Sequence, residues 1–148
     1  MQLSLPQGLH IDKKISLLEY KKMKLFMEKH DVGRYKIKQK DFYRIREGKK
    51  IIAFGRLFKI GFQERELGSL WVDESHRGQK LGLILAQELI ADKRGNNDIF
   101  LATRKPLEHY YKQLGFEIII KDIPQKLIYT IKRAIENGID FIIMKLAK

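Results

Sequence analysis

Residues 67–89 read LGSLWVDESHRGQKLGLILAQEL, and this stretch decides the fold that we expect for the chain. Its apolar start indicates a β-strand that ends at Val72, and a short polar loop with two glycines follows. Leu81, Leu85 and Leu89 then recur every four residues, as they do on the buried face of a helix. The order of strand, polar loop and helix predicts an α/β domain.

The loop core, residues 77–82, reads RGQKLG and has the composition of an anion-binding site. Glycine lets the backbone approach a ligand closely, and the first amides of the following helix have no partner inside that helix. Together with the helix dipole, such amides favour a phosphate or pyrophosphate. Arg77 adds a planar cation at the mouth of the loop, whereas His76 beside it is expected to be an exposed loop residue.

A second informative segment is residues 110–116, YYKQLGF, which follows a predicted strand at 98–103. Pro106 suits the first turn of a helix between the two segments, and Gly115 suits its end. The pattern therefore predicts a helix over 106–114 with two adjacent tyrosines in its second half.

These two segments resemble motifs of the GNAT acetyltransferase superfamily. In the family's coenzyme A-binding signature, a strand that ends in Val is followed by four residues and then by Gln/Arg-x-x-Gly-x-Gly/Ala at the start of a helix. Val72, Arg77 and Gly82 match this pattern, and Lys80 stands where the family usually has its middle glycine. Tyr111 begins a match to the family's Tyr-x-x-x-Gly-Phe element.

The resemblance implies an α/β (α+β) fold: a single GNAT-like domain over residues 1–148, with a central, mixed, mostly antiparallel sheet flanked by helices. The residues agree with this layout. Ser16 and Glu19 form a capping box that predicts a helix over 16–30, and Gly68 inside a predicted strand indicates a bulge or a close backbone approach. The other predicted elements are strands at 41–47, 51–62 and 66–72, a helix at 78–94, a strand at 98–103, a helix at 106–114, a strand at 116–121, a helix from Pro124 to Asn137, and a strand at 139–146.

By resemblance, the chain is an N-acetyltransferase that moves an acetyl group from acetyl-coenzyme A to a primary amine by direct transfer in a ternary complex. The chain has no cysteine, which favours direct transfer over a covalent acyl-enzyme. The amides of residues 78–82 would hold the pyrophosphate, and the backbones of Leu70 and Val72 would bond the pantetheine arm. The cofactor-binding residues that the resemblance implies are Leu70, Trp71, Val72, Arg77, Gly78, Gln79, Lys80, Leu81, Gly82, Leu83 and Tyr111.

The catalytic groups that the resemblance implies are Glu66, Tyr111 and Leu70. An acidic residue at the place of Glu66 is the general base in a subset of the family, but a surface glutamate beside Arg65 is an equally good interpretation. Tyr111 matches the family tyrosine that protonates the departing thiolate, and a phenol pKa of about 10 suits that role. The alternative for Tyr111 is an aromatic side chain that packs under the cofactor. Other candidate acids are Glu47, Asp73 and Glu74.

Composition argues against several other classes of protein. Without cysteine there are no disulfides and no thiolate metal sites, and the four histidines show no ligand spacing, so no metal is expected. No apolar run reaches the length of a membrane span, and residues 1–12 lack a signal-peptide pattern. We therefore expect a cytoplasmic protein without a membrane partner, as a monomer or homodimer.

The net charge of +12 is uneven, since residues 1–50 carry +8 and residues 51–148 carry +4. A lysine-rich solvated surface is the simplest interpretation. A basic cleft would also favour an acceptor, either a small molecule or a peptide, with an acidic group beside its amine.

Two alternatives to an enzyme stay open. The first is a catalytically silent member of the fold that binds an acyl-coenzyme A. The second is a basic nucleic-acid-binding module, although nucleic acid is the less expected partner. Its only hint is a set of aromatic residues among lysines, namely Tyr35, Phe42 and Tyr43 near Lys36, Lys38 and Lys40.

Overall fold

The computed structural model describes residues 3–29 and 38–148. The described residues form strands and helices, with short 3-10 turns between some of them. The strands and helices are β1 (Leu9–Asp12), α1 (Leu17–Lys29), β2 (Phe42–Glu47), β3 (Lys50–Gly61), β4 (Glu64–Val72), α2 (Leu81–Lys93), β5 (Asp98–Arg104), α3 (Glu108–Lys112), β6 (Phe116–Ile119), α4 (Gln125–Glu136) and β7 (Phe141–Leu146).

The strands form one seven-stranded sheet in the order β1-β2-β3-β4-β5-β7-β6. Strand β4 pairs with β5 in parallel, from Glu64 opposite Asp98 to Glu66 opposite Phe100. The pairs β1–β2, β2–β3, β5–β7 and β6–β7 are antiparallel. The predicted α/β fold with a mixed, mostly antiparallel sheet is thus confirmed.

The chain divides into two compact units. The first unit comprises Gln2–Leu57 and Leu67–Lys93, and the second contains Phe58–Glu66 and Arg94–Lys148. The extent of the domain, residues 1–148, stays a prediction.

In the first unit, alternate residues of the strands face opposite sides of the sheet. Phe54 of β3 lies on the side of α1, where it packs with Met23 and Met27 of that helix. Gly55, the next residue, faces α2, and a Cβ atom there would meet the side chains of Leu70 and Leu89. A larger residue at this position would therefore require the Leu70 side chain to move.

In the second unit, α4 covers β5 and β7. Leu127 of α4 packs with Phe100 and Ile143, each at most 2% exposed. Partly buried side chains complete this core, namely Ile60, Ala102, Ile119, Ile123 and Ile131.

Several predicted boundaries are corrected by the structure. Helix α2 begins at Leu81 instead of residue 78, because Gly78 and Lys80 have positive φ angles that a right-handed helix does not allow. The predicted helix over 106–114 is a 3-10 turn at Lys105–Leu107 followed by the short helix α3. Strands β6 and β7 are shorter than predicted, and the predicted helix end at residue 30 lies outside the described residues.

Strand β1 is an addition to the predicted elements. Its four residues read LHID, which is too short a run to show a clear alternation of apolar and polar residues. The strand forms by antiparallel pairing with residues 44–47 of β2. One half of the predicted capping box is present, since the amide of Glu19 donates to Ser16 Oγ at 3.2 Å, while the Ser16 hydroxyl donates to the Glu19 carboxylate at 2.9 Å. No helix within residues 3–29 and 38–148 has the length and apolar character needed to cross a membrane.

Candidate functional site

The end of β4 has an irregular backbone at Ser69, next to the glycine that the sequence singled out. Ser69 has a φ of 53°, in the left-handed region that side chains other than glycine adopt at a cost. Its hydroxyl accepts a hydrogen bond at 3.0 Å from Nε of Arg56, a β3 residue only 1% exposed. The buried guanidinium therefore helps to hold the strand in this shape just before Leu70.

The loop after β4 also has the left-handed backbone expected of an anion-binding turn. The φ angles are 87° at Gly78 and 60° at Lys80. The carbonyl of Lys80 accepts a hydrogen bond from the amide of Ile84 at 3.0 Å, which is the first bond of helix α2. The amides of residues 81–83 precede that bond, so they have no partner within the helix. The sequence-predicted arrangement of strand, glycine-containing loop and helix start is present.

Arg77 closes this loop onto the end of the strand. Its Nε donates to the carbonyl of Val72 at 3.1 Å, across five residues, and the side chain lies at an exposed position. This bond places a permanent positive charge beside the loop, where it favours an anionic ligand.

His76 is not the exposed residue that we predicted, because its side chain is only 15% exposed. Its Nε2 lies 3.5 Å from Glu47 Oε1, and its Nδ1 lies 3.4 Å from Asp73 Oδ2. The hydrogen bond from Ser75 lowers the pKa of Asp73, and the hydrogen bond from His76 lowers it by a smaller amount. Two of the other candidate acids, Glu47 and Asp73, thus contact the histidine in this cluster.

Trp71 lies on the opposite side of the strand from Leu70. Its indole stacks on Phe54 at a centroid distance of 5.3 Å and meets Phe26 of α1 edge-on at 4.6 Å. The side chain of Leu70 instead lies over Gly55, on the side of α2. Cofactor binding by Trp71 would therefore involve its backbone, unless the ligand reaches the α1 side of the sheet.

Glu66, the predicted base, belongs to the second unit and is not a surface side chain. Its Oε1 accepts a hydrogen bond at 3.0 Å from Nζ of Lys126, and both side chains are 15% exposed. The ammonium of Lys126 also lies 4.3 Å from the ring centroid of Phe58. Sequence reasoning missed Lys126, because no pattern in the sequence pairs a residue of α4 with one of β4.

Tyr111 also belongs to the second unit, near the end of α3. Its ring packs edge-on against Tyr110 at 5.0 Å and against Phe116 at 6.3 Å. Burial raises the pKa of Tyr111, and Tyr110 adds to this. The phenol is therefore protonated at neutral pH, as a proton donor must be.

The structure thus brings one set of predicted residues together in the first unit, namely Leu70, Trp71 and Val72 with residues 77–83. Glu66 and Tyr111 lie in the second unit. Within residues 3–29 and 38–148, no group of three or more His, Asp and Glu side chains is arranged to hold a metal ion.

Two of the three aromatic residues that hinted at nucleic-acid binding are buried in the described part of the chain. Phe42 is 1% exposed and Tyr43 is 5% exposed, so neither ring is available to stack on a base. Tyr35 and Lys36 lie outside the described residues.

Comparison with known proteins agrees with these features. The sequence model of the acetyltransferase (GNAT) family matches residues 15–116. No curated protein matches the chain.

Solved structures resemble the fold at low sequence identity. Rv2747 from Mycobacterium tuberculosis, solved with CoA, has 13% identity and a TM-score of 0.71, covering 94% of this chain and 99% of its own. N-acetylglutamate synthase from Neisseria gonorrhoeae, complexed with coenzyme A and N-acetyl-glutamate, has 12% identity and a TM-score of 0.70; the match covers 98% of this chain but only 37% of that protein. The ribosomal-protein-S18-alanine N-acetyltransferase from Escherichia coli has 19% identity and a TM-score of 0.61, and the match covers 93% of this chain and 92% of that protein.

At these identities the structural likeness shows the fold alone, but the family model matches well over half of the sequence. That match includes the strand β4, the loop at residues 77–82 and Tyr111 of α3. The chain belongs to the acetyltransferase (GNAT) family.

Proposed function

We propose that this protein transfers an acetyl group from acetyl-coenzyme A directly to a primary amine, within a ternary complex. The observation that carries the proposal is the loop before α2. Its left-handed residues Gly78 and Lys80 turn the chain into a helix whose first three amides have no partner in the helix. The coenzyme A named for the Mycobacterium and Neisseria proteins supports the same ligand here.

The predicted residues other than Trp71 have these roles in the proposal. The backbone amides of residues 78–83 bind the pyrophosphate, and Arg77 adds positive charge. The backbones of Leu70 and Val72 bond the pantetheine arm, next to the irregular backbone at Ser69. Glu66 accepts the proton of the amine, directly or through water, and Tyr111 donates a proton to the thiolate.

The reaction then needs no covalent enzyme intermediate. The neutral amine nitrogen attacks the thioester carbonyl, the carbon–nitrogen bond forms, and the carbon–sulfur bond breaks as the tetrahedral intermediate collapses. The proton lost by the nitrogen goes to the base, and the sulfur takes a proton from the acid. The chain lacks cysteine, so a cysteine acyl-enzyme is excluded.

Coenzyme A binding is tested by thermal-shift titration, because a ligand that binds only the native state raises the melting temperature with its concentration. We expect Gly82→Asp, which adds bulk and negative charge at a buried position of the helix start, to remove the shift. Arg77→Ala should weaken binding less, since the amides remain. The absence of any shift at saturating coenzyme A in the parent protein would contradict the proposal.

One observation favours the alternative of a silent coenzyme A-binding protein. Glu66 is engaged in an ion pair with Lys126, and a carboxylate in an ion pair is a weaker base than a free one. Release of free thiol from acetyl-coenzyme A in a screen of primary amines separates the two functions. Coenzyme A binding without thiol release for any amine would favour the silent protein.

A further inference from the structure

The first unit contains an apolar cavity that the roles above do not use. Its volume is about 180 Å³, and it lies between α1 and the neighbouring strands. Its lining consists of one lysine and five apolar or aromatic side chains, namely Lys22, Met23, Phe26, Ile51, Phe54 and Trp71. We call it the aromatic cavity.

The walls of the aromatic cavity are held by packed rings. Phe26, Phe54 and Trp71 contact one another, with centroid distances of 4.6 Å, 5.3 Å and 5.9 Å. Phe54 and Met23 are each 2% exposed and belong to the core of the unit. Because these two side chains pack into the core, they form a fixed part of the cavity wall.

The size of the aromatic cavity sets the size of its ligand. An apolar cavity of about 150 Å³ binds a benzene molecule, so about 180 Å³ accommodates one ring with a short alkyl linker. The lining offers a flat apolar surface that suits an edge-on or offset contact with such a ring. Lys22, the single charged residue of the lining, disfavours a second cationic group.

The aromatic cavity adjoins the backbone to which we assigned the pantetheine arm. Trp71 is the residue between Leu70 and Val72 of β4, and consecutive residues of a strand are about 3.3 Å apart. A ring that contacts the Trp71 indole thus lies on the α1 side of the strand whose backbone we assigned to the pantetheine arm.

We propose that the aromatic cavity binds the side chain of the acceptor, and that the acceptor is a primary amine with a single aromatic ring on a short alkyl linker. This inference rests on the proposed function. It adds the class of acceptor, which the resemblance to the family does not supply.

Trp71 is the single tryptophan of the chain, so intrinsic fluorescence reports directly on occupancy of the cavity. With saturating coenzyme A, we expect 2-phenylethylamine and 2-phenylethanol to produce a saturable change in emission and ethanolamine to produce none. The alcohol carries the ring without the amine, so it reports binding independently of acetyl transfer.

Two variants test the location of the ring. Ile51→Phe adds bulk to the lining and should weaken ring binding at least tenfold. The matched control is Leu25→Phe, because Leu25 lies on the same helix as Phe26 but is 66% exposed. It should leave the fluorescence titration unchanged. If Ile51→Phe does not fold, Phe26→Leu removes one ring of the wall and should weaken binding instead.

Thiol release completes the test. In the parent protein we expect kcat/KM for 2-phenylethylamine to exceed that for ethanolamine at least tenfold, and Ile51→Phe should bring the ratio near one. Turnover of ethanolamine without a ring preference or a fluorescence change would overturn the inference and leave the proposed function intact. A saturable fluorescence change without turnover of any amine would support ring binding and contradict the proposed function.

Discussion

At the scale of single residues, Lys80 shows how a departure from a family motif can be accommodated. The family usually has glycine at this place, and the structure gives Lys80 a φ of 60°, which glycine adopts without steric cost. A residue with a Cβ atom in this region costs about 1–2 kcal/mol. The loop therefore keeps its left-handed turn despite the lysine, and the strain resides in one residue.

Replacing Lys80 by glycine should therefore stabilise the protein. Relief of the left-handed strain outweighs the greater chain entropy of glycine in the unfolded state, which costs about 0.5–1 kcal/mol. We expect the free energy of unfolding, measured by urea denaturation, to rise by about 0.5–1 kcal/mol. Coenzyme A affinity should change less than about tenfold, or roughly 1.4 kcal/mol, because the amides keep their places.

The neighbouring residue provides the control. Gln79 does not have a positive φ, so Gln79→Gly relieves no strain and should lower the free energy of unfolding. Equal losses in both variants would show that the left-handed backbone at Lys80 carries no strain. A gain in coenzyme A affinity of several hundredfold in Lys80→Gly would show that the lysine side chain obstructs the ligand.

The second prediction at this scale concerns Tyr111. Burial raises the pKa of its phenol, so the hydroxyl is protonated throughout the neutral range and can donate a proton. We expect Tyr111→Phe to lower kcat by a factor of about 10–1,000, within or just below the usual range for acid–base groups. Coenzyme A binding should change much less, since phenylalanine keeps the ring. The control is Tyr129→Phe, at a position that is 62% exposed on α4. Unchanged turnover in Tyr111→Phe would limit this residue to packing.

Residue identities along the chain predicted the loop but not its surroundings. Gly78, Lys80 and Arg77 are close in sequence, so their grouping follows from local spacing. Lys126 reaches Glu66 across sixty positions, and Phe26 reaches Trp71 only because α1 packs on the sheet. Contacts of this kind depend on tertiary packing, which hydrophobic periodicity does not specify.

At the scale of elements, a charged cluster ties α2 to two other parts of the first unit. The carboxylate of Asp92 on α2 accepts hydrogen bonds from Lys13 Nζ at 2.7 Å and from Tyr43 Oη at 2.8 Å. The hydrogen bond from Lys13 lowers the pKa of Asp92 most, and the one from Tyr43 lowers it further. Burial raises the pKa of Tyr43 to about 12. The helix is thereby attached to β2 and to the segment that follows β1.

The stability that Asp92 contributes should depend on pH. Its pKa is lower in the folded protein than the value of about 3.9 in an unfolded chain, so the contribution is fully present above about pH 5. The contribution is lost as the pH falls through the folded pKa, because both states then bind the proton. Asp92→Asn should consequently lower the melting temperature near neutral pH, with a difference that shrinks as the pH falls below the pKa of about 3.9 of the unfolded chain.

Melting curves of Asp92→Asn and the parent protein between acidic and neutral pH check this prediction. The control is Glu28→Gln, which removes one exposed carboxylate from α1 and allows for the change in net charge. A melting-temperature difference that stays constant over the whole range would indicate that Asp92 acts through packing instead of charge.

Sequence patterns located most elements but not their ends. The 3.6-residue period identified α2, whereas its start depends on the φ angles of two loop residues. Strand β1 has only four residues and depends on its partner β2, so it gives almost no local signal. The left-handed position in β4 lies at Ser69 instead of Gly68, and the buried Arg56 that bonds its hydroxyl explains how a side chain is tolerated there.

At the scale of the whole molecule, the net charge of +12 bears on the choice of acceptor. The first third of the chain carries most of the excess, and a second cavity, of about 730 Å³, is lined mainly by lysines of this part. Its lining residues are Lys13, Lys14, Ile15, Lys38, Gln39 and Lys40. Such a field raises the local concentration of anions and lowers that of polycations.

We therefore predict that a carboxylate beside the amine improves an acceptor. Phenylalanine and 2-phenylethylamine form a matched pair, since they share the ring and the linker and differ by one carboxylate. The ratio of their kcat/KM values should favour phenylalanine at low salt and fall as salt is added, because screening shortens the reach of the field to about 10 Å at 0.1 M ionic strength. A polyamine should be a poor acceptor that improves with salt, because salt relieves like-charge repulsion. A ratio that does not change with salt, together with a polyamine that is preferred at every salt concentration, would show that the basic first third is only a solvated surface.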